Sequence, residues 1–302
     1  MKRRTFLQCL SGGMLWSATL PLQSSSIRPL RFGLVTDLHY AEKDMSINRY
    51  YRQSIRKLRD AVREFNRQKL DFVVELGDFK DMDANHDAAT ALRFLDDIEA
   101  ELQQFKGKVY HVLGNHDMDC ISKEEFMKHT TNPGKANGRS YYSFTTKGVR
   151  FIVLDANFNE DRTPYCKGNF EWQKAYIPQE EIDWLRRELQ HVDKPIITLC
   201  HQLLDRFSDV EKSVCVGNAD EVVKLLEENG HVMAVIQGHH HTGHYSQRNG
   251  IHYWTMKAMI ESEYPQHNSF AVVCIDPKGV ISVEGFADCE SREMRRCQSF
   301  FP

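Results

Sequence analysis

Two patterns of apolar and polar residues alternate along the first half of the chain. Short apolar runs, which have the length of buried strands, lie at 30–36, 71–76 and 108–113. The stretches between them repeat apolar side chains at helical spacing, at 47–68 and 88–105. Ser46 is a suitable N-cap for the first of these helices. The resulting order, βαβαβ, predicts a layered α/β fold.

The second half of the chain combines hairpins with two more helices. Hairpins are predicted at 141–155, 245–255 and 270–284, and single strands at 194–200 and 231–237. One helix is predicted near 219–227, and Pro178 opens another at the first-turn position that tolerates proline. Residues 156–177 show neither a helical nor a strand period. We therefore expect an irregular loop there.

The first 26 residues differ in composition from the rest. Basic residues, including the pair Arg3-Arg4, precede a largely apolar run at 6–20, which is the layout of an export signal and resembles the twin-arginine type. The run is shorter than the roughly 20 residues that a membrane-spanning helix needs. We expect residues 1–26 to be an export signal and 27–302 to form a single domain in the bacterial periplasm or cell envelope, with a cytoplasmic location as the alternative.

The charge of the chain bears on its partners. It has 39 Lys and Arg against 42 Asp and Glu, and without the basic start the count is 36 against 42, a net charge of −6. This balance excludes general nucleic-acid binding, which needs clustered cations, and is compatible with a small phosphorylated substrate. The eight cysteines include no C-x-x-C pair. A disulfide between Cys289 and Cys297 and the oligomeric state both stay open.

Five short polar motifs follow predicted strands, at the end where open α/β sheets build their sites. They are Asp37-Leu38-His39, Gly77-Asp78-Phe79-Lys80-Asp81, Gly114-Asn115-His116-Asp117, His201 and Gly238-His239-His240-His241. Asp37 and His39 would face one ion if their segment is extended, because residues two apart then project to the same side. Oxygen and imidazole donors without a thiolate favour manganese, iron or zinc. Five loops of this chemistry together predict a metal centre.

The order of these motifs resembles the calcineurin-like metallophosphoesterase superfamily. The pattern of that superfamily runs D-x-H, G-D-x-x-D, G-N-H-D or G-N-H-E, a lone His and G-H-x-H, and the resemblance covers about residues 31–256. It implies a four-layer α/β/β/α sandwich of two mixed sheets flanked by helices. It also implies a metal-dependent phosphoric ester hydrolase.

The resemblance further implies two transition-metal ions, manganese, iron or zinc, with Asp78 shared between them. One ion would be held by Asp37, His39, Asp78 and His241, and the other by Asp78, Asn115, His201 and His239. His116 would act as general acid to the leaving group or stabilise the transition-state charge, and Asp117 would orient it. A water bridging the ions would lose a proton, and the hydroxide would attack phosphorus in line. Asp81 and His86 are candidates to hold the ligand imidazoles.

One segment, residues 48–54, narrows the range of candidate substrates. It looks like a segment of the manganese-dependent ADP-ribose/CDP-alcohol diphosphatase subgroup. This favours a nucleotide diphosphate or phosphodiester as substrate. A periplasmic phosphomonoesterase and a cyclic-nucleotide phosphodiesterase are the alternatives with the same metal core. A non-catalytic scaffold of this fold is the alternative of another class, and a scaffold should lack several of the ligands that this chain keeps.

Substrate contacts are expected from two segments. Arg49 and Tyr50 lie in the segment that carries the subgroup resemblance, although a solvated helix face is the plainer interpretation. The loop at 156–177 is rich in aromatic residues, which bury large areas when they pack. We expect its Arg162, Lys167 and Trp172 to reach the substrate. The alternative is a lid that only packs on the domain.

Overall fold

The computed structural model describes residues 29–135, 138–190 and 192–295. Within these ranges the apolar runs become strands. The strands are β1 (Leu30–Val35), β2 (Phe72–Glu75), β3 (Lys108–His111), β4 (Tyr142–Thr146), β5 (Val149–Val153), β6 (Ile196–Cys200), β7 (Val232–Gln237), β8 (His244–Arg248), β9 (Ile251–Thr255), β10 (Ser269–Ile275), β11 (Ile281–Ala287) and β12 (Arg292–Met294). The helices are α1 (Ser54–Gln68), α2 (Ala88–Leu102), α3 (Lys123–His129), α4 (Gln179–Gln190) and α5 (Ala219–Asn229).

The strands form two mixed sheets. The first has the order β12-β11-β10-β1-β2-β3, in which β1, β2 and β3 run parallel and the other pairs are antiparallel. The second has the order β4-β5-β6-β7-β9-β8, with the four central strands parallel and an antiparallel strand at each edge. Since parallel strands end at the same edge of a sheet, the loops after β1, β2, β3, β6 and β7 meet there.

Aromatic side chains join the two sheets face to face. The Phe151 ring on β5 packs edge-on against Phe32 and Phe72 of the first sheet, with centroids 5.4 and 5.2 Å apart. The apolar faces of α1 and α2 join this same core, and those of α4 and α5 cover the outer face of the second sheet. The predicted four-layer sandwich of two mixed sheets flanked by helices is confirmed.

The start of α1 differs from the prediction. The helix begins at Ser54, and Ser46 is not its N-cap. A 3₁₀ turn at Tyr51–Gln53 precedes it. Arg49 lies in extended backbone that pairs with Glu261. Tertiary pairing with a distant loop therefore overrides the helical spacing of residues 47–53, and it brings Arg49 to the edge of the sheet where the motifs meet.

Two elements were missed by the pattern of apolar residues. Helix α3 has only seven residues, too few to show a period. Its signal is instead the capping box, in which the Ser122 hydroxyl accepts from the Glu125 amide and the Glu125 carboxylate accepts from the Ser122 amide. Strand β12 has three residues and pairs with β11 at the edge of the first sheet.

Several expectations concern residues outside the described ranges. The predicted export signal at 1–26 lies there and stays a prediction, and so does pairing of Cys289 with Cys297, because Cys297 is also outside. Within the described ranges, no helix combines the length and the apolar character required to cross a membrane.

Candidate metal centre

The five motifs converge at one end of the two sheets. Asp37, His39, Asp78 and His239 all adopt the left-handed backbone region, with φ between 47° and 67°. This conformation is uncommon for residues other than glycine and is concentrated at functional sites. The expected extended geometry of Asp37 and His39 is therefore wrong. Each of the two side chains is turned toward the site by a left-handed backbone, which the loop contacts around it hold in place.

Glycines let these loops approach one another. A Cβ on Gly114 would lie 2.2 Å from the Asp78 amide nitrogen, and one on Gly238 would lie 2.2 Å from the Thr36 hydroxyl oxygen. Any side chain at either position would push the ligand-bearing loops apart. Because these two positions are glycines, the loop after β3 can contact the loop after β2. The loop after β7 can likewise contact the segment after β1.

The first ligand cluster is formed by Asp37, His39 and His241, with Asp78 beside it. The Nε2 atom of His39 lies 3.2 Å from Nε2 of His241 and 3.5 Å from Oδ2 of Asp78. Nε2 of His241 lies 3.5 Å from Oδ1 of Asp37. These spacings between donor atoms bring two imidazoles and two carboxylates around one point, which is the donor set of a divalent transition-metal site.

The second cluster is formed by Asp78, His201 and His239. Nε2 of His201 lies 3.2 Å from Oδ2 of Asp78, the same oxygen that faces His39. Nε2 of His201, Nε2 of His239 and Oδ1 of Asn115 are all buried without a hydrogen-bond partner in the described part of the chain. Buried polar atoms are normally satisfied, so these orphaned atoms fit a metal ion. Asp78 lies between the clusters, as a bridging ligand would.

Outer hydrogen bonds leave the Nε2 atoms free for a metal. Nδ1 of His201 donates to the Leu76 carbonyl at 2.8 Å, and Nδ1 of His241 lies 2.6 Å from Oε1 of Glu261. Nδ1 of His39 lies 3.3 Å from Oδ2 of Asp81. Such partners fix the tautomer and orientation of ligand imidazoles. The suggested role of Asp81 is borne out, whereas His86 is exposed on the surface. Glu261 was missed.

Burial and charge tune these groups before any metal binds. Burial lowers the pKa of His39 to about 4 and that of His239 well below its usual value, which keeps both imidazoles neutral as metal ligation requires. Burial opposes ionisation of Asp78, but the charges of the neighbouring His201 and His116 outweigh it and hold its pKa well below the usual range. His201 differs, because burial by itself lowers its pKa but the charge of Asp78 outweighs burial and raises the pKa to about 10, so its proton must leave when a metal binds. Before metal binds, the centre thus combines two neutral imidazoles, the protonated His201 and an ionised carboxylate between the clusters.

His116 stands beside the clusters and faces Asp81. Its Nδ1 atom lies 3.4 Å from Oδ2 of Asp81. Burial by itself lowers the pKa of His116, but the charges of Asp81 and Asp78 outweigh it and raise the pKa to about 9. The imidazole is therefore held in its protonated form at neutral pH, which suits a proton donor or a stabiliser of negative charge.

The predicted contact between Asp117 and His116 is corrected by the structure. Both carboxylate oxygens of Asp117 accept backbone N–H bonds, from Asp78 at 3.1 Å, Phe79 at 2.9 Å and Gly114 at 2.8 Å. Asp117 thus fastens the loop after β2 to the loop after β3. The carboxylate that faces the His116 ring belongs to Asp81.

A cavity of about 370 Å³ opens over the clusters. Its lining comprises His39, Arg49, Asp78, Asn115, His116, Trp172, Glu211, Val214, His239, His240, His241 and Thr242. Arg49 approaches the first cluster, with Nε 3.8 Å from the Glu261 carboxylate that holds His241. The Trp172 ring adjoins the second cluster, with its centroid 5.7 Å from that of His239. An aromatic surface and a cation thus flank the clusters.

Three of the five expected substrate contacts lie elsewhere. Arg162 and Lys167 are exposed, and neither they nor Tyr50 are among the described residues that line the cavity. Tyr50 donates its amide to the Ile260 carbonyl and so helps to dock its segment. Glu211 and Val214 were missed because they come from an irregular segment after β6. The 3₁₀ turn at Lys212–Val214 contacts the turn at Trp172–Lys174. This contact brings Glu211 and Val214 to the cavity.

Comparison with known proteins agrees with this geometry. The model of the calcineurin-like phosphoesterase family matches residues 30–243. A manganese-dependent ADP-ribose/CDP-alcohol diphosphatase of Arabidopsis thaliana is 26% identical over 279 residues, 79% of this chain and 89% of the relative. One of Danio rerio is 27% identical over 294 residues, 80% of this chain and 90% of the relative.

Among solved structures, a dimetal phosphatase from Danio rerio has the same fold, with a TM-score of 0.77 at 23% identity, covering 89% of this chain and 99% of the other. The predictions of a metal-dependent phosphoric ester hydrolase and of two transition-metal ions are confirmed. The match over most of its length, the two-sheet fold and the paired clusters of ligands together show that this chain belongs to the calcineurin-like phosphoesterase family.

Proposed function

We propose that this protein hydrolyses the diphosphate bond of a nucleotide diphosphate, a substrate of the ADP-ribose or CDP-alcohol kind. The observation that carries this proposal is the cavity that places Arg49 beside one ligand cluster and Trp172 beside the other. A diphosphate spans two anionic groups and carries a flat base or a sugar at its ends. The relatives are named as diphosphatases of ADP-ribose and CDP-alcohols, and these names support the same substrate class.

The seven predicted ligands are proposed to hold the two ions, with Asp78 between them. When bound, such ions polarise phosphate oxygens and make a nearby water more acidic. The chain's own groups do the rest of the positioning. Thr36 donates to Oδ2 of Asp37 at 2.7 Å, and the His116 amide donates to Oδ1 of Asp78 at 2.7 Å. These bonds leave the opposite carboxylate oxygens directed at the clusters.

His116 is proposed to give its proton to the leaving phosphate oxygen. It lines the cavity beside both clusters, and before metal binds the charges of Asp81 and Asp78 outweigh burial and raise its pKa to about 9. A positioned acid of this kind contributes roughly 10²–10⁴-fold to such reactions. Asp81, which faces both His39 and His116, keeps the proton donor in register with the first cluster.

Arg49 and Trp172 are proposed to orient the substrate. The Arg49 guanidinium would bind the phosphate that is not attacked, because guanidinium groups match phosphate oxygens in charge and shape. The half-exposed Trp172 ring would stack on a base or sugar, an interaction worth roughly 1–3 kcal/mol for a base on an aromatic ring. Val214 extends the apolar wall next to Trp172.

The test is a substrate panel with Mn²⁺ present. ADP-ribose, a CDP-alcohol, a nucleoside monophosphate, a cyclic nucleotide and bis-(p-nitrophenyl) phosphate are compared by kcat/KM. We expect the diphosphates to be preferred, and Trp172→Ala to raise KM for them by about 10-fold while leaving the generic diester unchanged. Arg162→Ala is the matched control outside the cavity and should change neither. A preference for the monophosphate or the cyclic nucleotide would overturn the proposal in favour of the corresponding alternative.

A further inference from the structure

A lysine in the loop after β2 has no part in the scheme above. Lys80 lies two residues after Asp78, and its side chain is completely buried. Its Nζ atom donates to the carbonyl oxygen of His116 at 2.7 Å and forms an ion pair with Oδ1 of Asp119. Asp119 is also buried, and it lies at the end of the 3₁₀ turn that starts with His116.

The contacts of His116 with this loop involve three different atoms. Its amide donates to Oδ1 of Asp78, its carbonyl accepts from Lys80, and its Nδ1 faces Oδ2 of Asp81. Its carbonyl also accepts from the Asp119 amide at 3.3 Å. The direction of the Cα–Cβ bond follows from the backbone atoms on either side. Lys80 and Asp78 therefore set the position of the His116 backbone and of its Cβ atom, and the Asp81 carboxylate lies opposite the ring nitrogen.

Stability alone is a poor reason for a lysine at this position. Burying two charges costs desolvation energy that their attraction only partly offsets, and apolar pairs of similar size are often as stable or more stable. The hydrogen bond to the His116 carbonyl is the contact that an apolar side chain cannot replace. We propose that Lys80 is a positioning residue that sets the location of the His116 imidazole over the leaving group. This inference rests on the proposed function of His116.

The consequence for catalysis follows from geometry. A proton donor must lie within hydrogen-bond reach of the leaving oxygen, and a displacement of about 1 Å at such a group costs up to about 100-fold in rate. Lys80→Met keeps an unbranched side chain that is one atom shorter, and it removes the charge and the hydrogen-bond donors. We expect kcat to fall by about 10–100-fold with the Mn²⁺-loaded enzyme, with KM and bound metal unchanged.

Folding and positioning are separated by a compensating variant. Lys80→Met alone leaves Asp119 buried without its partner and should lower Tm by about 6–10 °C. In Lys80→Met/Asp119→Leu the pair becomes apolar, so Tm should recover while kcat stays low. If kcat recovers together with Tm, the pair is only structural and the inference fails.

A double-mutant cycle with His116→Ala tests whether Lys80 acts through His116. On the substrate that the wild-type protein turns over fastest, Lys80→Met should cost nothing further in the His116→Ala background. A loss as large as in the wild-type background would overturn the inference, and so would an unchanged kcat in Lys80→Met itself. The substrate panel tests the proposed function separately, since the cycle does not depend on which phosphoester is cleaved.

Discussion

At the residue scale, Asp78 occupies the central position of the site. Its Oδ2 faces His39 at 3.5 Å and His201 at 3.2 Å, and these imidazoles belong to different clusters. Its Oδ1 accepts the amide of His116. One carboxylate thus connects both candidate ion positions with the proposed proton donor. Because Asp78 contacts all of these groups, its removal should disturb both ion positions and the placement of His116.

We predict that Asp78→Ala removes both ions, because each cluster loses the oxygen that the two have in common. Elemental analysis of the purified variant, beside wild-type protein prepared with the same Mn²⁺, is the measurement. Wild-type protein should hold close to two ions per chain and the variant close to none. A full complement of metal in Asp78→Ala would rule out the bridging role.

We predict that His116→Ala keeps its metal and lowers kcat by about 10²–10⁴-fold. The ring forms a third group of possible ligands with His39 and Asp81, but it belongs to neither of the two clusters between which Asp78 lies. The loss should be smaller with p-nitrophenolate as leaving group, because this anion needs little protonation. Loss of metal in the variant would instead make His116 a ligand. An equal loss for every leaving group would exclude the acid role and leave charge stabilisation.

At the element scale, the segment between β9 and β10 supports the site from outside. Its residue Glu261 holds His241 at 2.6 Å and pairs through its backbone with Arg49. The buried Lys57 of α1 donates to the carbonyl oxygens of Met259, Glu261 and Ser262 at 2.7–2.9 Å. A helix on the outer face thereby fixes a loop that orients a metal ligand.

We predict that Glu261→Gln weakens metal binding at the first cluster by about 10–100-fold, the usual effect of losing the outer partner of a ligand imidazole. Glu263→Gln is the matched control, since Glu263 lies two residues away on the exposed side of the same segment. Calorimetric titration of the metal-free proteins with Mn²⁺ measures the metal affinity of both variants. Equal affinities in the two variants would show that Glu261 does not act through His241.

At the scale of the whole molecule, a buried ionic cluster ties the site to the fold. His111 on β3 lies 3.1 Å from Glu75 on β2 and 3.2 Å from Glu99 on α2. Glu75 in turn accepts the Gly77 amide at 2.6 Å, at the start of the loop that carries Asp78. Burial by itself lowers the pKa of His111, but Glu99 and Glu75 together outweigh it and raise the pKa to about 10.

We predict that this cluster makes stability depend on pH. Because the pKa of His111 is above its unfolded value of about 6.5, the stabilisation is complete below pH 6.5 and is lost as the pH rises through 10. The free energy of unfolding of the wild-type protein should fall relative to His111→Gln between pH 6.5 and 10, by more than about 1.4 kcal/mol, the value of one pKa unit. Urea unfolding at several pH values measures this. Parallel curves for the two proteins would contradict it.

The sequence by itself determined the ligand chemistry and the class of fold. The strand runs end in donor-rich loops, and the donors of one motif are two residues apart or alone, so their recognition needs only local order. The same holds for α2, whose apolar side chains at helical spacing are a local signal. The order of the motifs carried the resemblance to the family, and the two-sheet sandwich is what that resemblance implied.

Only the tertiary structure decided which residues support those ligands. Glu261 meets His241 across the β7–β9 region, Arg49 meets Glu261 from more than 200 positions away, and Lys80 meets His116 from another loop. The role expected of Asp117 belongs to Asp81 for the same reason. Periodicity encodes which face of an element is buried. It does not encode which loops face each other, because that depends on strand order and on left-handed backbone conformations that packing alone maintains.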